Sequence, residues 1–220
     1  MDQDASIDAL VNTVMASLTP EFEVLPDQLE DSLKESMLSG IHAGALDLRI
    51  TDADLLADAN EQAAAWARNR AAELVGMKYN DDGNLVPNPD AKWAITETTR
   101  DEIRRIVAKS FEDTAATAES IAADIDDAGI FSPERAAMIA DTEIAHAQTA
   151  GNISIWQDSG MVSKVNVLLS NAEGVCDECS DIADGGPYDL DDIADEYPFH
   201  PNCRCSLTAV IDEEAPNDEL

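Results

Sequence analysis

Five metal-binding side chains gather near the C-terminal end of this 220-residue chain: the pair Cys176-x-x-Cys179, then His200-Pro-Asn-Cys203-Arg204-Cys205. All four cysteines of the chain lie in this pattern. Twenty residues separate Cys179 from His200, and they are polar and rich in Gly, Pro and Asp. Two short knuckles joined by such a loop can close around one tetrahedral ion. Zinc fits best, because thiolate and imidazole are its preferred donors and it requires no redox chemistry. Five donors compete for four positions. The i, i+3 pairs Cys176/Cys179 and His200/Cys203 form the first choice, and Cys205 is either spare or replaces His200 in an all-cysteine site.

Two disulfides are the alternative, and they would suit a secreted protein. The N-terminus MDQDASID is acidic and carries no apolar segment of the kind a signal peptide has. Cys203 and Cys205, with one residue between them, are awkward partners for two separate bridges. A chain this long can also build a core without such staples. An enzyme is a further alternative, hydrolase-like or deaminase-like. Zinc deaminases place a His-x-Glu before their cysteine pair, whereas His146 here is followed two positions later by Gln148. A hydrolytic site keeps one coordination position open, and five donors predict a closed one. The expectation is therefore a structural site and no catalysis. A small zinc-ribbon adaptor is a third reading, but such modules are usually basic where they meet nucleic acid.

The charge narrows the setting. Forty-six acidic residues face thirteen basic ones, a formal net charge of −33. Hydrophobic residues still make up 45% of the chain, which argues against wholesale disorder. The acid is dispersed and would repel itself at low salt. Molar salt shortens the Debye length to about 3 Å and screens that repulsion. The composition predicts a protein made for a highly saline cytoplasm, as in a halophilic archaeon. No cluster of Lys and Arg exists to displace counterions from a duplex. No run is apolar enough to predict a membrane span.

The elements that must position the knuckles come next. Apolar residues Ile7, Leu10, Val11, Val14, Met15 and Leu18 recur at helical steps, so 5–18 reads as an amphipathic helix that Thr19-Pro20 ends. Pro26 opens a second helix with Leu29, Leu33, Met37, Leu38 and Ile41 on its buried side, weakened at its far end by Gly40 and Gly44. Thr51 or Asp52 caps a long helix through Val75, with Gly76 as its stop. Residues 80–90 form a turn-rich loop. A helix starts at Thr96, another segment is helical from Asp113 to Asp127, and Ser132-Pro133-Glu134 opens one that runs to Ala150 with Ile139 and Ile144 inward, stopping near Gly151. Trp66, Trp93 and Trp156 are expected core anchors. His42 is expected to be a helix-end residue.

Lys164–Ser170 and Arg204–Ile211 read as strands. Each adjoins a ligand pair, so antiparallel pairing would bring the knuckles together. Tyr188 and Tyr197 lie in the loop between them and are placed to cover the site. The acidic stretch Asp189–Glu196 reads as a solvated face. The fold expected is mainly α: a helical arm over 1–50, a helical body over 51–163, a β-containing zinc module over 164–212 and an acidic tail over 213–220.

Four segments carry a resemblance. ERAAMIADTEIAHAQTAG (134–151), SGMVSK (159–164), VCDEC (175–179) and FHPNCRCSL (199–207) resemble the phage Mu F-like head morphogenesis proteins, minor head proteins of tailed viruses. The resemblance spans about Ala53 to Val210. It implies a virion component at the head interior or portal vertex, present in several copies, with the portal protein as partner and the major capsid protein and packaged viral DNA nearby. It also implies that Cys176, Cys179, His200 and Cys203 are the metal ligands. Arg135, Thr142 and Glu143 match polar positions of the family's helix, and Arg204 matches the arginine after the last ligand. Arg135 and Glu143 stand eight positions apart, so each is expected to bond to other elements rather than to the other.

Overall fold

The computed structural model describes residues 3–111, 117–170 and 175–211. The start of the segment expected to be helical from Asp113, and the acidic tail over 213–220, lie outside the described residues. The fold is mainly helical with a few short strands. Seven helices and five strands lie among the described residues: α1 (Gln3–Asp47), α2 (Ala53–Leu74), β1 (Met77–Tyr79), β2 (Leu85–Pro87), α3 (Ile95–Phe111), α4 (Ala118–Asp127), α5 (Pro133–Ser159), β3 (Val162–Leu168), α6 (Asp177–Gly185), β4 (Tyr188–Asp189), α7 (Leu190–Ala194) and β5 (Ser206–Ile211). The chain divides into two compact units. One comprises Met1–Glu30 and Arg68–Met138, the other Asp31–Ala67 and Ile139–Leu220.

The first unit is built on helical periodicity. Ile7, Val11 and Met15 of α1 are buried with Ile103, Ile106 and Val107 of α3 and with Ile130, while Leu18, Phe22, Ile121 and Ile125 close the rim. These steps of three and four residues put each set on one helix face. Polar ties flank the core: Arg100 donates to Asn12 Oδ1 at 2.8 Å, and Arg104 pairs with Asp8. Arg135 is anchored by the Ile130 carbonyl (2.6 Å) and by the hydroxyls of Thr99 and Thr98. Burial pushes its guanidinium pKa down, and the nearby charge of Glu102 opposes that shift. Strands β1 and β2 form a hairpin where only a loop was expected. Asn80 Oδ1 accepts the amides of Asp82 and Asn84, and Gly83 takes φ +78° between them.

Proline does not break α1. The expected boundary at Pro20 and Pro26 is instead internal to one 45-residue helix. Each ring removes an N–H and crowds the preceding turn, a local cost of about 3 kcal/mol in a helix interior. Core packing and local side-chain bonds support the helix around Pro20. Leu18 and Phe22 pack on the core of the first unit, and the hydroxyls of Ser17 and Thr19 bond back to the carbonyls of Val14 and Met15.

Glycine does not end α5 either. The helix runs past Gly151 to Ser159. In the second unit α1 and α5 cross backbone to backbone. A methyl group at Gly40 would overlap the Gln148 carbonyl, and one at Gly151 would overlap the Met37 carbonyl. These glycines, with Gly44 against Ile155 and Asn152, are contact surfaces rather than weak points. Leu33, Met37 and Ile41 of α1, Ala59, Ala63 and Ala67 of α2, and Ala147, Ile155 and Trp156 of α5 are the buried residues of this helical layer. Trp156 is the one tryptophan fully in a core, whereas Trp66 and Trp93 are half-buried. Ile144, expected inward, is exposed; its neighbours Thr142 and Glu143 are buried instead.

Beside these helices lies a three-stranded antiparallel sheet in the order β4-β3-β5. Val165 pairs with Ala209 and Val167 with Leu207, and Val165, Val167 and Leu207 are buried. The expected pairing of the two strands next to the ligand pairs is present. The loop between them is more ordered than its composition predicts. It contains α6, α7 and β4, with Leu190 and Ile193 of α7 buried among acidic neighbours.

Candidate metal centre

Local backbone geometry prepares each knuckle. Cys176 is the N-cap of α6, and its Sγ accepts the Cys179 amide at 3.3 Å. A thiol at a helix N-terminus faces unpaired N–H groups, which favour the thiolate. The Cys176 pKa is accordingly lowered, first by the Cys179 amide and further by His200. The second knuckle is a tight turn closed by the Cys203 amide bonding to the His200 carbonyl at 3.1 Å. Asn202 in that turn has φ +63°, a left-handed conformation that Asn tolerates well. Cys205 follows immediately and leads into β5.

The sheet brings the two knuckles together. His200 Nε2 lies 3.1 Å from both Cys176 Sγ and Cys179 Sγ, and Cys179 Sγ lies 3.9 Å from Cys203 Sγ. Tetrahedral coordination by thiolate and imidazole implies ligand–ligand edges of about 3.5–3.8 Å, so the donors already stand near coordination spacing. They fall into two triads, Cys176/Cys179/His200 and Cys179/Cys203/Cys205, each with its ligand atoms within 4.8 Å of one another. Cys179 belongs to both. The four cysteines are free thiols. The 3.9 Å approach of Cys179 and Cys203 is far longer than a disulfide bond of about 2.05 Å.

Electrostatics favours a cation here. Cys179, Cys203 and Cys205 are almost wholly buried. Burial drives the thiol pKa values of Cys179 and Cys203 upward, because nothing compensates a buried negative charge. A divalent ion at their focus supplies that compensation and deprotonates coordinating thiols outright. The His200 pKa is raised, first by its Nδ1 contact with the Pro201 carbonyl at 2.8 Å and also by Cys176. That contact puts the proton on Nδ1 and leaves the Nε2 lone pair facing the sulfurs, the tautomer a metal requires. The donor set, its spacing and its burial fit a metal ion.

Helix α5 holds the second knuckle from behind. The Asn202 amide donates to Thr142 Oγ1 at 2.9 Å, and Arg204 reaches Asp141 at 3.3 Å. Tyr197 Oη donates to the Cys205 carbonyl at 2.7 Å, and the buried Thr149 hydroxyl bonds to the same phenol. Burial raises the Tyr197 pKa to about 12, so it stays a donor. Tyr188 has another task, bonding to the Ile182 carbonyl at 2.7 Å, which pins the end of α6. Thr149 and Asp141 were not singled out in the sequence. The available signal is that Thr149 lies seven residues after Thr142, on the same helix face.

The remaining candidates are dispersed. Arg135 belongs to the first unit, where it bonds to Ile130, Thr98 and Thr99, and Glu143 belongs to the second. Buried Glu143 lies 3.7 Å from His146 Nδ1 on the next turn of α5. His42 is exposed within α1, short of the helix end. The acidic residues from Asp189 onward do more than face solvent: Asp189 pairs with Lys164 at 3.9 Å, and Asp191 accepts from Gln157 at 2.7 Å. No helix among the described residues is long and apolar enough to cross a membrane. No family model matches the chain, and no curated protein or solved structure does either.

Proposed function

We propose that this chain is a minor, portal-associated head protein of a tailed virus, and that its C-terminal metal is a structural zinc ion. One observation carries the reading. The two motif segments behind the resemblance, the Arg135 to Glu143 helix and the His-Pro-Asn-Cys-Arg knuckle, are bonded to each other through Asn202–Thr142 and Arg204–Asp141. Residues that look like separate signatures in the sequence thus form one mechanical part. Zinc is favoured by the sulfur and imidazole donors, which are soft and lack the oxygen ligands that Mg²⁺ or Ca²⁺ prefer. Five crowded donors leave little room for an open coordination position, so the ion's work is to tie chain segments together rather than to activate water.

In this reading the helical units present contact surfaces to the portal ring, with the capsid protein and packaged DNA nearby. Direct DNA contact would require cations or another protein between two negative surfaces. Purified protein should carry about one zinc per chain, and chelation should unfold the C-terminal module. A folded, metal-free sample would remove the structural-zinc assignment. Co-expression with the portal protein of the same virus should give a complex that co-elutes in molar salt. Failure to associate with an assembled portal ring would remove the portal assignment.

A further inference from the structure

A cavity of about 280 Å³ opens in the second unit, beside the metal centre but distinct from it. Met37, Trp66, His146 and Tyr197 form its walls, and the amides of Gln62 and Gln157 line its sides. The rings stand edge to face. Trp66 and His146 have centroids 5.2 Å apart at 87°, and His146 and Tyr197 lie 6.3 Å apart at 61°. No Lys or Arg lines the cavity. Carboxylates stand directly behind the lining: Glu143 next to His146, Asp158 accepting from Gln62 at 3.0 Å, and Asp191 accepting from Gln157. His146 Nδ1 is buried and makes no hydrogen bond; its nearest charged neighbour is Glu143 Oε2 at 3.7 Å.

Aromatic faces backed by negative charge form a cation receptor. The volume holds a side-chain head group and stands at the lower edge of the range of small-molecule pockets, about 300 Å³. A planar guanidinium fits better than an ammonium. It stacks on an indole, is more weakly hydrated, and offers several N–H donors in one plane. The net charge of −33 draws basic surfaces towards the chain. We propose that this cavity receives the guanidinium of an arginine on a protein partner. The proposal is independent of which ion fills the metal centre and of the virion reading.

The test uses the full, metal-loaded chain and N-acetylarginine methylamide as probe, followed by NMR of the Trp66 indole and His146 imidazole. Both signals should shift saturably. The neutral isostere N-acetylcitrulline methylamide should bind about tenfold more weakly, and Trp66→Leu should weaken the arginine probe by about tenfold. Gln157→Glu, which leaves the aromatic walls intact, should tighten it severalfold. Equal binding of the citrulline probe, or shifts that bypass Trp66 and His146, would overturn the proposal. Tighter binding of spermidine than of the arginine probe would assign the cavity to a free polyamine and overturn the protein side chain as occupant.

Discussion

Thr142 and Asn202, sixty positions apart in sequence, are joined by a 2.9 Å hydrogen bond from the Asn202 amide to the Thr142 hydroxyl. The bond satisfies a backbone donor in the left-handed turn that separates His200 from Cys203. The helix thereby sets the angle at which the second knuckle meets the first.

Thr142→Val should leave that amide unpaired while keeping the side-chain volume. Asn202 is exposed and the bond only partly buried, so its loss costs about 0.5–1.5 kcal/mol, the net worth of an ordinary hydrogen bond, and losing an outer support typically weakens metal affinity about 10–100-fold. Thermal unfolding of the metal-loaded protein and competition with a chromophoric chelator measure the two effects. Thr142→Ser should recover most of both. An unchanged affinity in the valine variant would show that the knuckle sets its own geometry.

Cys179 is shared by both donor triads, so its loss removes a ligand from each. Cys179→Ser should abolish metal retention. Cys176→Ser and Cys203→Ser should each impair folding of the module, and Cys205→Ser should do less. Metal content after gel filtration gives the order. Equal damage from all four substitutions would mean that no donor is spare.

Much of this site was legible in the sequence because its determinants are local. Ligand spacing made the knuckles visible, and the β-branched runs beside them made β3 and β5 visible. The supports were only partly legible: the resemblance picks out Thr142 and the loop position picks out Tyr197, whereas nothing singles out Asp141 or Thr149. Thr142, Asp141, Thr149 and Tyr197 act across the tertiary structure, and their types and spacing do not name their partners. The breakers misled for the same reason. Pro20, Pro26 and Gly151 each lower local helix propensity, yet packing on neighbouring segments overrides it. Gly151 sits in α5 because the α1 backbone passes too close for any side chain. The loop after Cys179 looked unstructured because Leu190 and Ile193 are lone apolar residues among Asp, with too little periodicity to announce α7.

Gly151→Ala should be far more damaging than its single methyl suggests. The added carbon meets the Met37 carbonyl and Ile41 amide, which belong to a rigid helix and cannot rotate away. Overpacking of this kind typically costs about 1–3 kcal/mol or more. Gly83→Ala serves as the contrast: it meets nothing within 4 Å and carries only the strain of φ +78°, about 1–2 kcal/mol. Denaturant titrations at fixed salt should rank Gly151→Ala as the less stable variant.

Metal retention should fall as the medium is acidified. The His200 pKa is raised above 6.5, chiefly by the Pro201 carbonyl, so in the metal-free fold its contribution is full below the unfolded value and is lost as pH rises through the folded one. Coordination needs the neutral ring, so protons compete with the ion from above pH 6.5 downward. The lowered pKa of Cys176, due first to the Cys179 amide, acts the other way. Its contribution is present above the ordinary thiol value of 9.0 and is lost as pH falls through the folded value, which keeps thiolate available at lower pH. Apparent affinity should therefore already fall by more than tenfold per pH unit below pH 8, because the Cys179 and Cys203 thiols, whose pKa values burial raises, must lose protons to coordinate, and more steeply still once His200 is protonated. A slope that does not steepen between pH 8 and pH 6 would remove His200 from the ligand set.

Dilution from molar to millimolar salt should lower the melting temperature. A net charge of −33 spread over the chain repels itself once screening is lost. Differential scanning calorimetry across that range measures the effect. Constant melting behaviour would detach the composition from any saline setting.

The bond between Thr142 and the Asn202 turn also decides what can be excised from this protein. A peptide cut just before β3 would retain every sulfur and the imidazole, yet it would leave behind Asp141, Thr142 and Thr149, which brace Arg204, Asn202 and Tyr197. The smallest transplantable piece therefore begins on α5, well upstream of the first cysteine, and a graft onto another scaffold must import that helix face with it.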